Sequence, residues 1–159
     1  MDEAVAVISH LRQKGKRIST AESCTGGLLG KLLTDVPGSS AVYPGGVITY
    51  CNEVKNALLS VDASLLDREG AVCAPVAAQM AQSVRRMMGA DYGVSTTGVA
   101  GPGSDDRGNH QGLVYAAIAE ETQTKVFELH FCGNRDEIRR AAAKAVFTCL
   151  LNILKEALE

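Results

Sequence analysis

The chain has 159 residues, a formal net charge of -2, 46% hydrophobic and 21% charged residues. Its length suits one domain, residues 1–159, able to bury roughly 70% of its unfolded surface. No net basic field is available to hold a polynucleotide backbone, so nucleic-acid binding is disfavoured. No apolar run reaches the roughly 18 residues needed to cross a bilayer.

The acidic start lacks the basic n-region and apolar h-region of a signal peptide, which points to a cytoplasmic protein with no membrane association. The five cysteines (Cys24, Cys51, Cys73, Cys132 and Cys149) are odd in number and contain no CxxC pair. That pattern fits reduced thiols and gives neither a disulfide framework nor a zinc signature.

In chain order, residues 2–14 place Ala4, Val5, Val7, Ile8 and Leu11 on one helical face, and Gly15 ends the helix. Lys16 to Ala21 reads as a strand, Glu22 to Gly27 as a turn, and Leu28 to Thr34 as a helix closed by Pro37-Gly38. Gly46 to Tyr50 is a second strand. Asn52 is a suitable N-cap for a short helix through Leu59. Val76, Met80, Val84 and Met87 recur at helical spacing after Pro75. Tyr92 to Thr97 forms a third strand that runs into a glycine-rich turn and then a polar loop, Ser104 to Gln111. Leu113–Ala119 and Lys125–Phe131 suggest a hairpin. A last helix begins near Asn134 with Ile138, Ala142, Ala145, Cys149 and Ile153 as its core face. Strands alternating with helices predict an α/β domain: a three-layer α/β/α arrangement whose terminal hairpin favours a mixed central sheet.

Three segments carry candidate chemistry. Glu22-Ser23-Cys24-Thr25-Gly26-Gly27 leaves a strand and opens a helix. There a hydroxyl is presented beside outward backbone N–H groups and a helix dipole that favours an oxyanion or a phosphate. Gly26 and Gly27 let a ligand approach the backbone; the alternative is that Ser23 or Thr25 only caps the helix. Cys24 is a rival nucleophile, or else a core residue. The chain has only three histidines and no GxSxG elbow, so a Ser-His-Asp triad is poorly supported.

Lys55 offers a different base. A helix N-terminus and desolvation both lower an ammonium pKa, Glu53 would oppose them, and Tyr50 is placed to relay a proton or to orient the amine. The alternative is a surface lysine near a strand-end tyrosine. Thr96 to Gly103, with Thr97, Gly98 and Gly101, is a second strand-end loop suited to an anion, though it matches neither a Walker A motif nor GxGxxG. Ser39 and Ser40 after Pro37-Gly38 form a weaker candidate. Arg135 and Arg139 open the last helix, where they either meet an anion or form a solvated face.

The ordered blocks AESCTGG, TDVPGSSAVYPGGVITYCNEVK, GAV, TTGVAGPG and GNRDEIRR resemble the CinA C-terminal domain family from about Lys16 to the last helix. The family is similar to nicotinamide-nucleotide amidases. The resemblance implies deamidation of nicotinamide mononucleotide to nicotinate mononucleotide and ammonia, with Ser23 as the acylated nucleophile and Lys55 and Tyr50 as its partners. It also implies substrate contacts from Thr97, from Ser39 or Ser40, and from Arg135 or Arg139. It brings no metal or organic cofactor and makes a homo-oligomer, by default a dimer, the expected state. The chain departs from the usual family pattern at Cys51 and Cys73, where serine is common, and in the loop Ser104–Gln111. The rival expectation is a non-catalytic phosphate-binding or regulatory module that needs neither Ser23 nor Lys55.

Overall fold

A computed structural model describes residues 2–156. Its elements, in order, are α1 (Asp2–Lys14), β1 (Ile18–Glu22), α2 (Leu28–Thr34), a 3-10 turn (Ser39–Ala41), β2 (Gly45–Ile48), α3 (Asn52–Leu59), α4 (Ala63–Glu69), α5 (Ala74–Met87), β3 (Tyr92–Gly98), β4 (Leu113–Ala119), β5 (Thr124–His130) and α6 (Arg135–Glu156).

The five strands form one sheet in the order β2-β1-β3-β4-β5. β1 runs parallel to both β2 and β3, whereas β3–β4 and β4–β5 are antiparallel, so the sheet is mixed as expected. β1 is buried along its whole length, as a strand covered on both faces must be. One apolar layer joins α1, α2 and α6 to the sheet through Val7, Leu11, Leu29, Leu33, Val146 and Phe147. The other joins α3, α4 and α5 through Leu59, Leu65, Val76, Met80 and Val84. This is the three-layer α/β/α architecture.

The close approach of β2 to β1 depends on Gly46, paired with Thr20, because a Cβ there would lie 2.2 Å from Thr20 Oγ1 and 2.5 Å from the Thr20 carbonyl.

Several local expectations shift. Val5 is exposed although its neighbours Ala4, Val7, Ile8 and Leu11 are buried. The core face of α6 is turned toward Ala143, Val146, Phe147 and Leu150, leaving Ala145 and Cys149 only partly buried. Cys51, not Asn52, caps α3, and it makes no side-chain capping bond. α4 has no counterpart in the sequence reading. Its Asp62 cap accepts from the Ser64 N–H, a signal that was available but sat in a stretch too short for periodicity to register.

The topology places a crevice. From β1 the chain crosses through α2 to β2 on one side, whereas β3, on the other side of β1, is entered from α5 in the opposite helical layer. The carboxyl ends of β1 and β3 therefore diverge at a switch point, where open α/β sheets leave room for a ligand.

Candidate active site

Ser23 is the first residue past β1 and stays in register with the sheet: its N–H donates to the Thr96 carbonyl at 2.9 Å. On the other side of β1, the Thr49 N–H donates to the Glu22 carbonyl at 2.9 Å. Thus Ser23, Thr49 and Thr97 stand together at the ends of three adjacent parallel strands. Lys55, on the first turns of α3, points back under this edge and is only 1% exposed. Its Nζ lies 2.9 Å from Ser23 Oγ and donates to the Thr49 carbonyl at 2.7 Å.

Burial lowers the Lys55 pKa from the ordinary lysine value, because a desolvated amine resists charging; ionised Cys51 and Cys24 thiols would act in the opposite sense. Glu53, the sequence-level objection, does not act on it. That side chain is exposed, and its carboxyl is held below its usual range by the N–H at the start of α3 and by the Cys51 thiol.

Ser23, Cys24, Tyr50, Asn52, Lys55, Ala71, Val72, Thr97, Gly98, Ala100 and Arg135 line a cleft of about 170 Å³. Larger clefts of about 500 and 570 Å³ lie between α1 and Val36-Pro37, and between α5 and the β4–β5 hairpin. In neither, among the described residues, does a lining serine or threonine hydroxyl hydrogen-bond to a lysine or histidine side chain.

Two of the three arginines of α6, Arg135 and Arg139, reach this region. Arg135 donates to the Gly101 carbonyl and, at 2.6 Å, to the Tyr50 hydroxyl, while Arg139 donates to the Cys24 carbonyl at 2.8 Å and passes over Gly26. Tyr50 therefore faces across the cleft to α6, and among the described residues it makes no hydrogen bond to Lys55. The expected relay to the lysine is not formed.

Other expected ligands have structural work. Thr97 is fully buried and donates to the Ala71 carbonyl at 2.8 Å, which fixes the Ala71-Val72 wall. Gly98 lets β3 pack on β4, since a Cβ would meet the Leu113 carbonyl at 2.5 Å. Gly101 has φ +87 and supplies the carbonyl that Arg135 holds. The Thr25 hydroxyl donates to Glu22 Oε1 at 2.6 Å and lies 2.7 Å from that of Thr96, so it faces inward.

Ser39 and Ser40 are not brought to the cleft. The 3-10 turn precedes β2 and packs where Ile18 begins β1, so the length of the sheet, roughly 3.3 Å per residue, separates them from Ser23. Cys24 packs with Ala100, Val114, Ile138 and Ala142, and burial pushes its thiol up to about 12.

Sequence reasoning missed Glu22. This carboxylate, 2% exposed, accepts from the Thr25 hydroxyl and from the N–H groups of Leu29 (2.8 Å) and Gly30 (3.0 Å). The first amides of α2, expected to meet a ligand, are thus taken by the protein itself. The signal was an acidic residue placed just before the turn that opens a helix. Among the described residues, no other residue accepts from the N–H of Cys24, Thr25 or Gly27.

The family model for the CinA C-terminal domain matches residues 2–154. The chain belongs to this family. A CinA-like protein of Syntrophomonas wolfei is 44% identical over 149 residues, 94% of this chain and 36% of that protein. One from Gloeothece citriformis is 50% identical over 129 residues, 80% and 31% of the two chains. The chain spans about a third of the length of the curated relatives it matches. Among solved structures, the competence damage-inducible protein A from Klebsiella pneumoniae superposes with a TM-score of 0.95 at 30% identity, covering 97% of this chain and 96% of that one. The competence/damage inducible protein CihA from Agrobacterium tumefaciens gives 0.90 at 36% identity, covering 95% and 94%. The CinA fold is therefore the fold of this chain, and no helix among the described residues is long and apolar enough to cross a membrane.

Proposed function

We propose that this CinA domain is a serine amidohydrolase that deamidates nicotinamide mononucleotide. The observation that carries the chemistry is the 2.9 Å approach of a buried lysine amine to a strand-end serine hydroxyl. The family resemblance supplies the substrate.

Neutral Lys55 accepts the Ser23 proton as Oγ attacks the carboxamide carbon. The N–H groups of Cys24 and Thr25 and the Tyr50 hydroxyl are the donors available to the oxyanion, each such donor being worth about 3 kcal/mol. Protonated Lys55 then gives its proton to the departing nitrogen, which leaves as ammonia, and an ester on Ser23 remains. Water attacks that ester, Lys55 takes its proton, and Ser23 recovers it as nicotinate mononucleotide departs. Arg135 and Arg139 supply the positive rim for the remote phosphate, and the ring's fixed positive charge makes the carbonyl more electrophilic. The reading includes no organic cofactor, a cytoplasmic setting and a homodimer, the last testable by sedimentation.

The deciding experiment measures ammonia release and the intact mass of the protein after brief exposure to the mononucleotide. An acyl adduct on Ser23, with turnover lowered roughly 10³-fold or more in Ser23→Ala, is the expected result. Equal ammonia release by both proteins would end the proposal. Binding of the mononucleotide with no ammonia from the unaltered chain would select the regulatory module.

A further inference from the structure

Two of the three histidines, which the amidase reading leaves unused, meet at the edge of the sheet. His110 lies next to last in the polar loop Ser104–Gln111, and His130 ends β5; both are exposed. His130 Nδ1 lies 3.2 Å from His110 Nε2, and the ring centroids are 5.2 Å apart. On its other side, His130 Nε2 is 2.9 Å from Glu128 Oε1, and the Tyr115 hydroxyl donates to Glu128 Oε2 at 3.1 Å.

These contacts fix a tautomer. A carboxylate only accepts, so the neutral His130 ring carries its proton on Nε2 and presents the Nδ1 lone pair to His110. A carboxylate that orients a histidine from behind is the usual outer support of a metal-bound imidazole. The N–N distance also fits, with both rings turning away from the hydrogen-bonded direction so that their lone pairs meet at a shared ion. Two nitrogens, each about 2.0–2.1 Å from a shared ion at a tetrahedral angle, stand about 3.3 Å apart.

We propose that His110 and His130 form a clip for one divalent transition-metal ion of borderline softness, such as zinc or nickel. On binding, the His110 proton moves through solvent from Nε2 to Nδ1, so a neutral pair loses no net proton. Among the described residues no group of three or more His, Cys, Asp or Glu side chains converges to hold a metal, so water completes the coordination. Imidazole donors select such ions over magnesium or calcium, which prefer oxygen.

The ion would fasten the loop to β5. Register places His130 opposite Leu113 and Val114 opposite Gly98, so the clip lies at the cleft end of the sheet. Gln111, beside His110, accepts from the Gly103 N–H at 2.8 Å and donates to the Gly133 carbonyl at 2.7 Å. Holding His110 thereby steadies the turn whose Gly101 carbonyl Arg135 engages. The proposal does not depend on the amidase reading.

The test is calorimetric titration of the full chain with zinc or nickel chloride. A Cys51→Ser/Cys132→Ser background removes the two exposed thiols as competing ligands. The expected result is one ion per chain, undisturbed by excess magnesium. Affinity should fall at least tenfold in His110→Ala and in His130→Ala, and roughly 10- to 100-fold in Glu128→Gln. No uptake by the background protein, or an isotherm unchanged by either histidine substitution, overturns the proposal.

Discussion

Arg135 donates a hydrogen bond to the phenolic oxygen of Tyr50 at 2.6 Å, joining residues 85 positions apart in the chain. The contact fills an acceptor site on the phenol and leaves the tyrosine's own proton free to point into the cleft. Under the amidase reading Tyr50 then serves as a donor to developing negative charge, and Arg135 as the group that orients it. Tyr50→Phe is expected to lower kcat by roughly 10²-fold with little change in KM, the signature of a donor used chiefly in the transition state. Arg135→Lys keeps the charge but loses the planar fork that spans Tyr50 and Gly101, and is expected to raise KM as well. Steady-state ammonia release measures both. A Tyr50→Phe variant altered only in KM would return the tyrosine to a binding role.

Lys55 gives a pH dependence with a definite sign. Under the amidase reading the neutral amine is the active form and burial lowers its pKa, so kcat/KM should rise with pH through a midpoint below the ordinary lysine value of 10.5 and then level off. The same burial opposes stability. In the interval between the lowered pKa and 10.5 the unfolded chain binds more protons than the folded one, so stability rises with pH there; at lower pH the penalty is present in full. Lys55→Met is therefore expected to abolish turnover and to stabilise the fold at pH 7 by about 1–2 kcal/mol, read by urea denaturation. A destabilised Lys55→Met protein would mean that the hydrogen bonds to Ser23 and Thr49 outweigh the desolvation.

Much of this arrangement was legible in the sequence because it rests on local signals. The turn after β1 that carries Ser23, the strand before Tyr50 (which ends at Ile48, two residues earlier than expected), the strand through Thr97, the glycine pair after Ser23, and the alternation of strands and helices all follow from short-range pattern. What pattern could not supply was the direction of side chains across the switch point. Thr25 and Thr97 read as anion ligands in the sequence, but in the fold Thr25 meets the Glu22 carboxylate of β1 and the Thr96 hydroxyl of β3, and Thr97 meets the Ala71 carbonyl from the segment before α5. Ser39 and Ser40 share the glycine-rich character of the true strand-end loops. They sit at the opposite end of the sheet because α2 carries the chain back before they occur. Lys55 was visible as an amine near a helix start, but its burial depends on packing between α3 and the sheet edge, which has no one-dimensional signature.

Cys24 adjoins Ser23, the nucleophile of the amidase reading, without sharing the chemistry that reading gives it. With its thiol pushed up to about 12, almost none is thiolate at neutral pH. Iodoacetamide at pH 7.5 should label Cys51 and Cys132, which are exposed, and leave Cys24 unmodified, as peptide mass mapping would show. Cys24→Ala should retain turnover within a few-fold and cost about 1 kcal/mol for the lost packing against Ala100, Val114 and Ile138. Loss of turnover in a folded Cys24→Ala protein would reopen the cysteine mechanism.

Glu22 tests whether the turn beneath Ser23 is held by charge or by shape. Its two oxygens accept from three donors: the Thr25 hydroxyl and Leu29 N–H at Oε1, and the Gly30 N–H at Oε2. A carboxylate satisfies all three, and its charge is favoured by the amides that open α2. Glutamine is nearly the same shape but replaces one acceptor with an NH₂ donor. Placed with its oxygen toward Leu29, it sets a donor against the Gly30 N–H; flipped, it sets one against the Leu29 N–H. Either way a buried donor loses its partner, at a cost of about 1–3 kcal/mol. Because Ser23 is the next residue and its N–H is pinned to Thr96, the disturbance should reach the Ser23 hydroxyl. Glu22→Gln is therefore expected to lower both the urea midpoint and kcat, with KM little changed, whereas a control at the exposed Glu121 in the β4–β5 turn, Glu121→Gln, should move neither. Glu22→Gln with unaltered stability would mean that packing alone shapes the turn and that the carboxylate is dispensable.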